Sequence, residues 1–262
     1  MINIRKHGLP PYSVVMFHGG PGVRGEMEVL ARKLSGSRGI LEPLETEKTT
    51  DAQINVFKDL FDSTAEYPLT LVGYSWGAWL AIIFASRYPE SVKKVVLISS
   101  GGFRESDGVA TKKTRMDRLG EGGRIEAELL MDILKGRKPG NPEEALPRLG
   151  SLFSSVDNYN PMKDVSEKIE VIREIHEGLN NEANLLRKTG DLLKIASKVL
   201  CPVVAIHGDY DPHPAEGVRD RLSPVIQDFR FILLEKCGHK PWIEKEAGNK
   251  FLDILGSEIS IL

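Results

Sequence analysis

The chain has 262 residues, of which 41% are hydrophobic and 27% charged, with a formal net charge of -2. That length allows a large single core, or a core carrying an inserted subdomain. A pI near 6.3 gives no electrostatic basis for nucleic-acid binding, and no apolar run is long enough to cross a bilayer.

Ser13 to Phe17 is a β-branched and apolar run that ends at His18-Gly19-Gly20-Pro21-Gly22. Helical spacing follows from Glu26 to Leu34, then a short strand at Gly39-Ile40-Leu41, then a helix from Asp51 to Ser63. Pro68 to Val72 reads as a buried strand, Ala78 to Ala85 as an apolar helix, and Lys93 to Ser99 as another strand. Strands and helices that alternate in this way imply a mostly parallel sheet covered on both faces.

The alternation stops after Gly101-Gly102. From about Phe103 to Ser197 the spacing is helical, with many charges and no strand pattern. Gly136 to Pro142 is a loop within it, and Val165 to Leu179 and Asn184 to Ile195 read as amphipathic helices. Strands resume at Val203 to Ile206 and Phe229 to Leu234. The organisation expected is an α/β core made of residues 1–101 and 197–262, interrupted by a helical cap insertion over 102–196.

Between the strand at 68–72 and the helix at 78–85 stands Gly73-Tyr74-Ser75-Trp76-Gly77. A serine on a sharp strand-to-helix turn has its hydroxyl clear of the backbone, at the positive end of a helix. Such a hydroxyl becomes a nucleophile only when a base takes its proton. In an open α/β sheet, functional groups gather at the carboxyl ends of strands. His207-Gly208-Asp209-Tyr210-Asp211 follows one such end and Cys237-Gly238-His239 another. Asp211 and His239 thus supply an acid and a base in the chain order Ser, Asp, His. The glycine loop opens towards the same edge, where the Gly20 and Trp76 amides form a candidate oxyanion hole. It has neither the Lys-Ser/Thr ending of a P-loop nor Gly-x-Gly-x-x-Gly.

With these motifs in place, the chain resembles the α/β-hydrolase superfamily. Its His18-Gly-Gly-Pro-Gly22 and Gly73-Tyr-Ser-Trp-Gly77 motifs resemble the proline iminopeptidase group, which removes N-terminal proline from peptides. The resemblance covers residues 1 to about 101 and 197 to 262, and it favours Asp211 over Asp209 through a His-Gly-x-x-Asp pattern. About seventeen residues precede the glycine loop, so the first strands should be shortened or missing. A serine at position 75 sets the chain apart from epoxide-hydrolase and dehalogenase branches, which place an aspartate there.

The expected activity is acyl transfer by Ser75, Asp211 and His239, with no metal or organic cofactor. The substrate is a small peptide with a free N-terminal residue, or a carboxylic ester or other small acyl compound. A binding protein on a hydrolase fold is the non-enzymatic alternative, and it has no need of all three groups. Glu174, Glu177 and Glu182 are candidates to pair with a peptide's amino end. His18 and His207 should hold loop backbone. His7, His176 and His213 should be solvated, as should the basic run Lys112-Lys113-Thr114-Arg115. Cys201 and Cys237 should act as small buried hydrophobes without zinc-type spacing. The start of the chain shows no signal-peptide pattern, and a cytoplasmic protein that binds no membrane is expected.

Overall fold

A computed structural model describes residues 3–36, 38–162 and 169–260. In chain order the elements are β1 (Ile4–His7), β2 (Tyr12–Phe17), β3 (Val23–Arg24), α1 (Glu28–Leu34), β4 (Gly39–Pro43), α2 (Thr50–Thr64), β5 (Leu69–Tyr74), α3 (Trp76–Arg87) and β6 (Val92–Ile98). Then come α4 (Glu105–Arg118), α5 (Glu121–Leu134), α6 (Pro142–Asp157), β7 (Glu170–Val171), α7 (Arg173–Thr189) and α8 (Asp191–Ala196). The chain ends with β8 (Val203–Gly208), α9 (Glu216–Leu222), β9 (Phe229–Leu234) and α10 (Gly248–Glu258).

Seven strands form one sheet in the order β1-β4-β2-β5-β6-β8-β9. Every pairing is parallel except β1 with β4 at one edge. Two strands, β1 of four residues and β2 of six, stand before the glycine loop. The central strands β5 and β8 are buried along their whole length, which is why they read as continuous apolar runs rather than alternating ones. On one face α2 and α3 pack through Phe57, Phe61 and Phe84 against Phe17 of β2. On the other, α1 and α10 bury Leu30, Phe251 and Leu255. Helix α3 is buried on nearly all sides, from Trp76 to Ala85, as its unbroken apolar sequence requires.

Three differences from the sequence expectation concern the region after β6. A two-residue strand, β7, pairs antiparallel with β3, where no strand pattern was visible. So short a ribbon has no period of its own, and it exists because a distant segment supplies its hydrogen bonds. The amphipathic helix expected from Val165 begins at Arg173 among the described residues; residues 165–168 of that expectation lie outside them. The helix continues past 179 to Thr189, and the break falls at Gly190, whose φ of 77° ends α7 and starts α8.

Within this region α4, α5 and α6 share a small apolar cluster of Leu119, Ala127, Leu130, Ala145 and Leu149. By contrast, Ile175, Leu179 and Ala183 of α7 and Leu192 and Ala196 of α8 join the main core beside α3. Among the described residues, no helix is long and apolar enough to cross a membrane.

Candidate active site

The turn around Ser75 is fixed by close backbone packing. A Cβ on Gly73 would run into the carbonyl of Gly77, and one on Gly77 would lie 2.5 Å from the carbonyl oxygens of Phe17 and His18. Only hydrogen fits at either place, so β5 turns directly into α3 against the end of β2. Ser75 itself has φ 52° and ψ -111°, a backbone conformation that costs a non-glycine residue about 1–3 kcal/mol. Its amide donates to the Ile98 carbonyl at 2.9 Å, tying the turn to the end of β6.

Three strand ends bring the expected residues together. Ser75 follows β5, Asp211 lies just beyond β8, and His239 lies on the loop after β9. Ser75 Oγ is 3.1 Å from His239 Nε2, and His239 Nδ1 is 2.9 Å from Asp211 Oδ2. The neutral imidazole that fits this chain donates from Nδ1 to the carboxylate and accepts the serine O–H at Nε2. Asp211 is wholly enclosed as a side chain. Burial raises its pKa, but His239, His207 and His213 around it outweigh burial and hold the carboxyl well below the ordinary range. Asp209, the alternative acid, instead accepts the Cys237 amide at 3.1 Å.

Gly20 sits at φ 52° in the glycine loop, which sequence places at the same sheet edge, and Trp76 is the first residue of α3. The loop is held from several sides. Val23 N donates to Gly20 O, Ile172 N donates to Gly22 O, and the His176 ring lies 2.9 Å from Pro21 O. The start of α7 thus clamps the loop, which explains the β3–β7 ribbon.

A carboxylate that sequence reasoning did not single out lies beneath this arrangement. Glu45 is fully buried. It accepts the Gly22 amide on one oxygen and the Trp76 indole N–H, at 2.7 Å, on the other. Arg24 donates to the Glu45 backbone carbonyl. One carboxylate therefore ties the glycine loop to the residue after Ser75. Glu45→Leu would orphan both buried N–H groups, each worth about 1–3 kcal/mol. The expected result is a urea midpoint shifted down by the equivalent of about 2 kcal/mol or more. An unchanged midpoint would remove Glu45 from this role.

The histidines expected in solvent are not there. His7 is buried with Nε2 3.0 Å from Glu42, and His176 meets Pro21. His213 has its Nδ1 2.9 Å from Asp211 Oδ1 and its ring stacked on His239 at 4.5 Å. Burial pushes the His213 pKa down to about 4. His18 Nδ1 donates to Gly19 O at 2.8 Å, and His207 Nε2 donates to His213 O at 2.9 Å, both loop-holding contacts. Arg115, read as part of a solvated run, makes a two-pronged contact with Asp157 at 2.9 and 2.6 Å. Asp157 O in turn accepts the His239 amide, and Glu244 gathers the amides of Gly238, Tyr159 and Asn160. The end of α6 is thereby pinned to the His239 loop. No local signal marks Glu45 as buried or Arg115 as half-buried and paired, because both partners come from remote segments.

Glu174, Glu177 and Glu182 face other partners. Glu174 pairs with Lys48 and Glu177 with Arg173 at the surface, while Glu182 accepts the Thr50 amide at 2.6 Å. Both cysteines are free thiols, Cys237 buried and Cys201 half-buried. Asp211, His213 and His239 form a group whose ligating atoms lie within 4.8 Å of one another. Those atoms are the ones already hydrogen-bonded between the two rings and the carboxylate.

A strand-turn-helix serine, an acid and a histidine at three ends of a mostly parallel sheet define the α/β-hydrolase class. The family model for the alpha/beta hydrolase fold matches residues 35–119, and the chain has that fold. It is similar to a putative 2-succinyl-6-hydroxy-2,4-cyclohexadiene-1-carboxylate synthase from Bacillus subtilis, at 23% identity over 89% of this chain and 85% of that protein. Bacterial lipases are among its further relatives. The solved structure of VinJ superposes with a TM-score of 0.71 at 15% identity, over 98% of this chain and 94% of the other. A proline iminopeptidase from Mycobacterium smegmatis superposes with a TM-score of 0.61 at 13% identity, over 98% and 93%.

Proposed function

We propose that the protein is a serine hydrolase of small acyl compounds that works through an acyl-enzyme. The observation that carries this reading is the unbroken chain from Ser75 Oγ through His239 to Asp211. Ser75 Oγ attacks the substrate carbonyl as its proton passes to His239 Nε2, and Asp211 stabilises the imidazolium that results. The carbonyl oxygen takes up the negative charge between the Gly20 and Trp76 amides. Collapse expels the leaving group, which takes the proton from His239. Water then attacks the acyl-serine, giving its proton to His239, and Ser75 is released with the acid product.

Residues 102–196 serve in this reading as a cap. The support is that α6 grips the His239 loop while the start of α7 grips the glycine loop, so both halves of the site depend on the inserted segment. A cap so attached excludes water and selects the acyl group.

A carboxylic ester or related acyl compound is the leading substrate class. The three glutamates suggested for binding a peptide's amino end are engaged elsewhere, and a buried ammonium needs a paired carboxylate. The second reading, release of N-terminal proline-like residues, is favoured by His18-Gly-Gly-Pro-Gly22. A fluorophosphonate should label Ser75 and no other residue. A side-by-side assay with a short-chain nitrophenyl ester and prolyl-naphthylamide should show turnover of the ester. Faster cleavage of the prolyl amide would put the peptidase reading first. Failure of Ser75 to label would overturn the hydrolase reading altogether and favour a binding protein.

A further inference from the structure

Asp211 serves two imidazoles. His239 takes Oδ2, while His213 takes Oδ1 twice, through its backbone N–H and its Nδ1, both at 2.9 Å. The two rings lie nearly parallel, 27° apart with centroids 4.5 Å from each other. His213 is itself held, because its carbonyl oxygen faces His207 Nε2 at 2.9 Å. Only 12% of its side chain is exposed.

We propose that His213 is a positioning residue of the reaction: its Nδ1–H holds Oδ1 of Asp211, keeping Oδ2 turned to His239 and sharing the carboxylate's charge between two rings. The inference rests on the serine-hydrolase reading above and goes beyond the three groups named there.

The chemistry requires His213 to be neutral, with the proton on Nδ1. Burial, together with His239 and Arg115, opposes a charge on it, and lowers its pKa to about 4 against the pull of Asp211. The charged and titratable groups that face this cluster come from several elements. His207 belongs to β8 and lies 3.6 Å from Asp211 Oδ2. Arg115 of α4 interacts electrostatically with both Asp211 and His213, with its charge balanced by Asp157 of α6. Tyr74 of β5 has its ring 5.0 Å from that of His239. His239 itself comes from the loop after β9. Among these, His213 is the ring that can donate to Oδ1 without becoming cationic at neutral pH. A neutral donor withdraws electron density from the carboxylate, so the imidazolium of His239 gains less from Asp211 than it would from an unshared carboxylate.

The sign of the test follows. Removing the donor concentrates charge on Oδ2 and makes His239 easier to protonate. His213→Phe keeps a stacked ring without a donor, and His213→Leu has neither. His213→Asn places an amide N–H near the position of Nδ1. The His239 pKa, read from the imidazole proton signal in an NMR titration of the full chain, should rise by about half a unit or more in the Phe and Leu variants. It should stay near the wild-type value in the Asn variant. The rate of Ser75 labelling by a fluorophosphonate, followed against pH, should move its acid limb in the same way.

An unmoved titration in the Phe and Leu variants, or an equal rise in the Asn variant, overturns the proposal. A rise in Phe alone also overturns it, since that would be an effect of the ring and not of the donor. If the NMR shifts appear but labelling of Ser75 does not follow the His239 ionisation, the positioning of Asp211 stands and the hydrolase reading fails instead.

Discussion

Ser75→Ala is expected to lose on the order of a thousandfold or more in turnover of an activated ester, with the fold intact. The hydroxyl is the atom that would form the acyl bond, and His239 Nε2 is poised 3.1 Å from it. Alanine has the same backbone demand as serine, so the strained φ of 52° remains. Ser75→Gly gives an internal control. It removes the same hydroxyl but lets the backbone occupy this conformation freely, so it should match or exceed the wild type in Tm while being equally inactive. An Ala variant that kept most of its turnover would sink the nucleophile assignment. A Gly variant less stable than the Ala variant would show that the turn is not under strain.

Asp211→Asn is expected to cost about ten-thousandfold in turnover, the scale set by loss of the acid in other serine triads. The carboxylate accepts from His213 on one oxygen and from His239 on the other, and an amide can offer only one acceptor. If the amide nitrogen turns to His239, the ring must accept at Nδ1 and present an N–H at Nε2, where it cannot take the serine proton. Asp209→Asn keeps an oxygen for the Cys237 amide, so its loss should be within about a few-fold. Steady-state kinetics on the two purified variants decides between them. A reversed order would transfer the role of the acid to Asp209.

Much of the architecture was legible from local patterning. Continuous apolar runs mark β5 and β8 because a parallel strand covered on both faces has no polar side. Turn chemistry located Ser75, because Gly73 and Gly77 leave room for nothing larger than hydrogen. The chain order of Ser75, Asp211 and His239 pointed to the residues that the fold brings within hydrogen-bond reach. The β3–β7 ribbon was not legible, since two residues carry no periodicity and the partner is remote in sequence. The break at Gly190 was misplaced because the amphipathic pattern runs on through it while the backbone does not.

Buried charge was the other blind spot. Composition treats Arg115, Glu45 and His213 as surface residues, yet Glu45 is buried and Arg115 and His213 are half-buried, the first two against partners remote in sequence. Asp157 neutralises Arg115 across 42 residues, and Trp76 satisfies Glu45 across 31. His213 is separated from Asp211 by only two positions, so the Asp-x-His spacing was a usable signal; the stacking on His239 was not. The sequence by itself determined the class of fold and the three groups at its strand ends, because short-range sterics and hydrophobic period are local properties. Tertiary structure alone decided which charges are buried and paired, because the desolvation that makes a pairing necessary arises only when distant segments close over the same carboxylate.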